Sequence, residues 1–426
     1  MANLSTTNSV QELQRKLYLK AKSEPKFRFY ALYDKIYRTD ILSLAYRKVK
    51  ENKGASGIDR KEFEDIEKEG IEEFLVEIGK QLKEGTYKPA PVRRAYIPKP
   101  NGERRPLGIP TIKDRVVQMA VKLTIEPIFE AGFEDNSYGY RPNKSSQQAV
   151  LEIRKLLNGG YREVTEVDIK DCFGSIPHSE LLDMIATRIV DRKILHLIKM
   201  FLKSGVMEEG MIKSTDKGTP QGGVISPLMA NIYLDKIDKG WKPYTKFSRL
   251  IRYADDMVLI TRYKAGGFIH KLREITNTLH LTINEEKTRV VDPEKESFDF
   301  LGFSYKKGKS KRTGNRTTYI WPTQKAERNI INRVKEIVDY RKTADIDKVI
   351  KELNPVIRGW VNYYKIGNSS KKFGKIKDYT GKRVRKYMRK KRQRCGYGYK
   401  EYPTSYLYGQ LGLFNNYKVE WTKTFK

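Results

Sequence analysis

Cysteine is nearly absent from this chain of 426 residues: Cys172 and Cys395 are the whole complement. Two lone thiols exclude a disulfide framework, and without a Cys-x-x-Cys pair they exclude a cysteine zinc site. The chain therefore reads as one that works in a reducing compartment. Long apolar runs are missing too, and the polar start, Met1 to Glu12, shows no secretory signal, so a membrane is the weaker candidate for a partner. Negative charge is in short supply: 52 Asp+Glu face 85 Lys+Arg, a formal charge of +33. A surplus of that size points to a polyanion such as nucleic acid, bound less tightly as salt rises. Hydrophobic residues make up 38%, enough for real cores, and the length suggests two or three domains.

The chemistry concentrates at Tyr253-Ala254-Asp255-Asp256, between the apolar runs Leu250-Ile251 and Met257-Val258-Leu259-Ile260. Such runs read as buried strands, which puts both aspartates at a hairpin tip. Carboxylates held side by side repel each other unless a cation lies between them, so the turn suits Mg²⁺. It also suits a plain polar turn. A third carboxylate, Asp168, ends the alternating stretch Glu163–Ile169, and two neighbouring strands would bring it to Asp255. Two divalent ions bridged by carboxylates, roughly 3.5–4 Å apart, drive in-line phosphoryl transfer. Asp256 is then an accessory carboxylate. Taken alone, Asp168 equally suits a strand end that caps a turn.

The first 85 residues read as mostly helical. Ser9 to Glu12 resembles a capping box, Ile41, Leu42, Ala45 and Val49 keep helical spacing, and Phe74, Leu75, Ile78 and Leu82 mark a second helix. From Tyr87 the texture turns to proline-punctuated strands, with a hairpin across Tyr96–Gly102 favoured by Asn101-Gly102. Lys99, Arg104 and Arg105 would crowd about it, either as a triphosphate clamp or as a solvated basic hairpin. Gly218-Thr219-Pro220-Gln221-Gly222-Gly223 lets backbone approach a ligand closely. Ser226 then caps a helix with Pro227 at its first position.

These motifs, in this order, resemble reverse transcriptases, and most closely the group II intron-encoded type, also called maturase reverse transcriptases. Gly57-Ile58-Asp59, Ile97-Pro98-Lys99-Pro100, Leu107-Gly108-Ile109-Pro110 and Ser137-Tyr138-Gly139-Tyr140-Arg141-Pro142 add to the likeness. Later come Asn284 with Lys287, and Phe300-Leu301-Gly302-Phe303. The resemblance covers roughly residues 40 to 365. It implies an α+β right-hand polymerase whose antiparallel palm sheet is followed by a helical thumb. Asp168, Asp255 and Asp256 map to the catalytic, metal-binding carboxylates, with Ile169 beside them at the metal site. Lys99 and Arg105 map to the cations that grip an incoming triphosphate, Phe173 to the steric gate against a 2′-hydroxyl, and Gln221 to the loop below the nucleotide. Lys287 matches a lysine that protonates the departing pyrophosphate. The implied cofactor is a pair of Mg²⁺ ions, with Mn²⁺ able to substitute. The Gly57-Ile58-Asp59 region resembles the extension that covers the template.

Beyond Trp321-Pro322 two amphipathic helices follow, the second kinked or divided at Pro355. Arg358-Gly359-Trp360 with Tyr363-Tyr364 resembles domain X, at once thumb and intron-RNA contact. In Lys371–Arg394, apolar residues interrupt the cations at helical spacing, which predicts a helix with one basic face. Arg358, Lys382, Arg383, Arg385, Lys386, Arg389 and Lys390 are its candidate RNA contacts. Tyr397, Tyr399, Tyr402, Tyr406 and Tyr408 suit either base stacking or core packing. The domains expected are 1–85 (extension and start of the fingers), 86–160 (fingers), 161–318 (palm), 319–394 (thumb/domain X) and 395–426 (a basic, Tyr-rich tail).

Two departures stand out. With four histidines and no cysteine pair the chain has no His/Cys-rich nuclease segment, so no DNA nicking of its own is expected. Gly174 stands where relatives carry Asp after the gate aromatic. The expected function is an RNA-directed DNA polymerase that binds its parent intron RNA and assists splicing and retrohoming. Its partners would be that RNA, an RNA template with DNA primer, dNTPs and a DNA target, with no membrane. The expected location is the cytoplasm of a bacterium, with an organelle as the alternative. The rival readings are a splicing cofactor that only binds RNA, and a reverse transcriptase recruited to phage defence.

Overall fold

The computed structural model describes residues 2–98, 102, 104–208, 211–213, 216–219, 222–311, 313–341 and 343–420. Helices Ala2–Ser23, Thr39–Glu51, Ile71–Glu84 and Ile112–Glu130 pack into an N-terminal layer. Their apolar spacing does what it predicts: Ile41, Leu42, Ala45 and Val49 are buried on one helix, and Leu75, Ile78 and Leu82 on another. Each of these leucine, isoleucine and valine side chains contributes roughly 1.5–3 kcal/mol by leaving water. The expected capping box at Ser9 is not there. The first helix already runs from Ala2, and Ser9 Oγ donates to the Asp40 carboxylate on the helix packed beside it.

Among the described residues eleven strands form three sheets. They are β1 (Val92–Pro98), β2 (Arg104–Ile109), β3 (Glu163–Val167), β4 (Val206–Glu208), β5 (Met211–Lys213), β6 (Ser248–Tyr253), β7 (Asp256–Thr261), β8 (Arg289–Val291), β9 (Phe298–Phe300), β10 (Phe303–Lys309) and β11 (Arg316–Pro322). One sheet runs β2-β1-β4-β5, a second β6-β7-β3-β8 and a third β11-β10-β9. The hairpin expected near Gly102 is β1–β2, with Pro98 opposite Arg104. β4 and β5, within the 161–318 segment, join that hairpin's sheet: β4 pairs in parallel with β1 through Val92–Val206 and Arg93–Met207. Two residue pairs far apart in sequence leave no local signature.

The sheet β6-β7-β3-β8 is buried on both faces. Val167, Leu250, Met257 and Leu259 face the N-terminal core. Val164, Ile251, Val258, Ile260 and Val291 face a second core shared with helix Ser146–Asn158, with β9–β11 and with the C-terminal helices. Strand alternation assigns each neighbour to the opposite face, which is why the sequence shows nearly unbroken apolar runs here.

The C-terminal helices are Gln324–Ile337, Ile346–Tyr364 and Ser370–Lys391. The second passes through Pro355 undivided. Pro355 is exposed while Leu353, Ile357 and Val361 are buried, so packing on one face outweighs a missing hydrogen bond on the other. The segment 395–420 packs against the rest of the fold. Tyr402, Leu407 and Leu413 are buried in the second core, and Asn354 ties it down by donating to Gly412 O (2.9 Å) and accepting from Phe414 N (2.8 Å). Among the described residues no helix is long and apolar enough to cross a membrane.

Candidate active site

Strand order brings the carboxylates together. β3 and β7 are antiparallel neighbours with Val167 opposite Met257, so Asp168, one residue beyond β3, emerges beside Asp256 at the start of β7. β6 and β7 close through Ala254-Asp255, with Tyr253 opposite Asp256. Asp168, Asp255 and Asp256 line one cavity of about 860 Å³ with Ile169, Asp171, Phe173, Arg105, Tyr140 and Lys287.

Electrostatics favour a cation there. The Asp255 carboxyl is raised above its ordinary value chiefly by burial, Asp168 adding to the effect. Asp256 is pushed up to about 6, first by loss of solvent within the cavity and then by the charges of Asp255 and Asp168. Its side chain still reaches water, so those like charges are the part that a divalent ion would cancel. Among the described residues no three acidic, His or Cys side chains yet stand at ligand spacing. Lys287 Nζ lies 3.2 Å from Asp168 Oδ2, which also accepts from Asn284 Nδ2 at 3.1 Å. The lysine is largely exposed, and such a pair is worth about 0–1 kcal/mol, little against the pull of a divalent ion. The three carboxylates offer oxygen donors of the kind that Mg²⁺ takes.

The turn is held from behind by groups that sequence reading missed. Arg252 is fully buried and donates to Asp238 Oδ2 (Nε, 2.9 Å), to Asn231 Oδ1 (2.9 Å) and to the Ala254 carbonyl (3.1 Å). Asn231 in turn donates to Gly139 O at 2.9 Å. A Cβ on Gly139 would stand 2.4 Å from Ala254 N, so only glycine lets this segment lie against the turn. The signal was an arginine inside an apolar strand. Tyr140, quoted in the Ser137–Pro142 match but given no place at the site, is a half-exposed aromatic at φ 55° whose ring lies 6.4 Å from that of Tyr253. A bulky residue in the left-handed region is strained, and such strain gathers at functional sites.

The Gly218 loop braces the other wall. Thr219 N donates to Phe173 O (2.9 Å), Gly218 N donates to Ile176 O (2.8 Å), and Gly222 rests against Gly108 on β2. Phe173 is thereby fixed half-buried at the cavity edge. Gly174 leaves a gap that Asp171 fills: a Cβ at 174 would lie 2.2 Å from Asp171 Oδ2. The helix after this loop starts at Ser226 itself, with Ile225 as its cap, one residue ahead of expectation. Of the expected nucleotide contacts, Arg105, Phe173 and Lys287 meet at the cavity. Lys99 and Gln221 lie outside the described residues.

The C-terminal cations divide. Arg358 is exposed, its guanidinium 5.8 Å from the Phe414 ring centre. Lys382, Arg383, Lys386, Arg389 and Lys390 are half-buried along one helix. Lys382 pairs with Asp378 (2.7 Å), Arg389 pairs with Glu401 (3.2 Å), and Arg383 donates to Val338 O (2.7 Å). Arg385 is not a surface contact. It is buried and donates to Tyr402 O at 2.7 Å, because the segment expected to be a tail folds over it.

Comparison with known proteins accords with this layout. Residues 97–305 match the family described as reverse transcriptase (RNA-dependent DNA polymerase), and residues 328–402 match the group II intron, maturase-specific domain. Group II intron-encoded protein LtrA of Lactococcus lactis subsp. cremoris is 46% identical over 213 residues, 50% of this chain and 35% of that protein. The chain thus spans about a third of LtrA. Protein YkfC of Escherichia coli (strain K12) is 31% identical over 362 residues, 74% of this chain and 93% of that protein. Maturase-like protein 1 of Euglena gracilis is 25% identical over 366 residues, 83% of this chain and 74% of that protein. The chain belongs to the family of group II intron-encoded reverse transcriptases and maturases.

Proposed function

We propose that this protein is an RNA-directed DNA polymerase that also binds its parent group II intron RNA and assists its splicing and retrohoming. The observation that carries the reading is one cavity lined by Asp168, Asp255 and Asp256 together with Arg105 and Phe173. The sheet β2-β1-β4-β5 would serve as fingers, β6-β7-β3-β8 as palm and the C-terminal helices as thumb. On this assignment Val206–Lys213 belongs with the 86–160 fingers, while the remaining boundaries keep their expected places.

Asp168, Asp255, Asp256 and the main chain at Ile169 would hold two Mg²⁺ ions. Such ions, when bound, lower the pKa of an attacking 3′-hydroxyl and neutralise charge on the phosphates. Arg105, at the cavity wall, would clamp the triphosphate by bidentate hydrogen bonds. Lys287, already beside Asp168, would give its proton to the departing pyrophosphate. The Phe173 ring would stand against the sugar and exclude a 2′-hydroxyl. Arg252 holds the Ala254 carbonyl and so fixes the turn from which Asp255 projects.

Primer extension on an RNA template with dNTPs and Mg²⁺ tests the reading. Full-length cDNA is expected, whereas intron-RNA binding without any extension would favour the pure splicing cofactor. Phe173→Ala is expected to raise rNTP over dNTP incorporation by about 10- to 100-fold, the range in which a site rejects a group by shape alone. An unchanged ratio would remove Phe173 from the gate.

A further inference from the structure

Of the five tyrosines between residues 397 and 408, the fold withdraws three and presents two. Tyr402 is buried, and Tyr406 and Tyr408 pack against the second core. Tyr397 and Tyr399 remain 43% and 51% exposed, their ring centres 6.0 Å apart and inclined by 53°. Among the described residues neither ring belongs to a hydrophobic core.

The loop bearing them is stiff. Glu401 accepts from Arg389 (3.2 Å), Arg392 (3.2 Å) and Arg394 (3.4 Å), drawing both ends together. Gly398, at φ 64°, lies so close to the helix that a Cβ would meet Arg389 Cδ at 2.6 Å. The buried Arg385 guanidinium sits 4.6 Å from the Tyr399 ring centre and backs that ring. Around the pair stand Lys382, paired with Asp378, and Arg389, Arg392 and Arg394, three arginines sharing one glutamate. Two exposed, pre-oriented rings within a cationic surround are what single-stranded nucleic acid needs: faces for bases and charge for the backbone. Duplex offers no free base faces.

We infer that Tyr397 and Tyr399 form a stacking platform for unpaired bases of RNA, outside the polymerase cavity. RNA is the occupant because both residues fall within the segment that matches the intron maturase-specific domain, and folded RNA displays unpaired bases in its loops. The inference deepens the intron-binding half of the proposed function and rests on it.

The test uses the full-length protein with its polymerase cleft filled by an RNA-template/DNA-primer hairpin. Binding of a labelled oligouridine RNA is then measured for wild type, Tyr397→Ala/Tyr399→Ala and Tyr397→Phe/Tyr399→Phe. The alanine pair is expected to weaken binding roughly 10- to 100-fold, while the phenylalanine pair retains it. Tyr399→Trp provides a reading in folded protein, its emission falling as a base stacks on it. Alanine-pair binding equal to wild type, or indole emission from Tyr399→Trp that the RNA leaves unquenched, would overturn the platform. Oligothymidine DNA competing as well as the RNA itself would overturn the RNA assignment. Primer extension by the same variants reports on the polymerase reading separately.

Discussion

Asparagine in place of Asp255 is expected to cut cDNA synthesis by about three orders of magnitude or more. The substitution keeps the size of the side chain and removes its charge. Carboxylate-held ions supply several kcal/mol of transition-state stabilisation, and about 1.4 kcal/mol corresponds to a tenfold change in rate. A second measurement separates lost chemistry from lost structure. In wild type, Mg²⁺ should raise the thermal midpoint, by an amount equivalent to about 1.4 kcal/mol at tenfold excess over its dissociation constant. In Asp255→Asn that rise should largely vanish, while the ion-free protein becomes no less stable, since the carboxylate it replaces is strained by burial and by Asp168. Undiminished cDNA synthesis by Asp255→Asn would end the polymerase reading.

Methionine in place of Arg252 is expected to destabilise the fold by about 3–5 kcal/mol, because Asp238 would be left as a buried, unpaired charge. Asn231 and the Ala254 carbonyl would lose their donors in the same step. Adding Asp238→Leu should restore much of the stability, since a fully apolar replacement of a buried pair is often neutral. The double variant should nevertheless polymerise poorly, because the Ala254 carbonyl then loses the guanidinium that fixes the turn. Chemical denaturation of wild type and the two variants measures the first effect and primer extension the second. A double variant with wild-type turnover would show that Arg252 serves stability alone.

Much of the site was legible because its signals are local. Apolar runs flanking Asp255-Asp256, and alternation leading to Asp168, announce strands from a few residues each. Only the antiparallel neighbourhood of β3 and β7 had to be supplied, and it follows from bringing the carboxylates together. What stayed hidden was set by partners distant in sequence. Arg385 looks like any cation on a basic helix until residues 395–420 fold across it. Ser9 looks like a cap until Asp40 comes within reach. β4 belongs to β1 through two residue pairs that no periodicity encodes. Tyr140 belongs to a motif read from the sequence, but its place on the cavity wall needs the folded chain.

The second hydrophobic core has an outcome for dissection of the molecule. Tyr363 donates to the Leu301 carbonyl, Gln147 donates to the carbonyls of Asn362 and Tyr363, and Phe303 and Ile320 pack among the same side chains as Leu353 and Ile357. A fragment ending at Pro322 would therefore carry a raw greasy flank and should clump rather than behave as a minimal enzyme. The two halves that sequence families count separately share one interior, and they stand or fall as a unit.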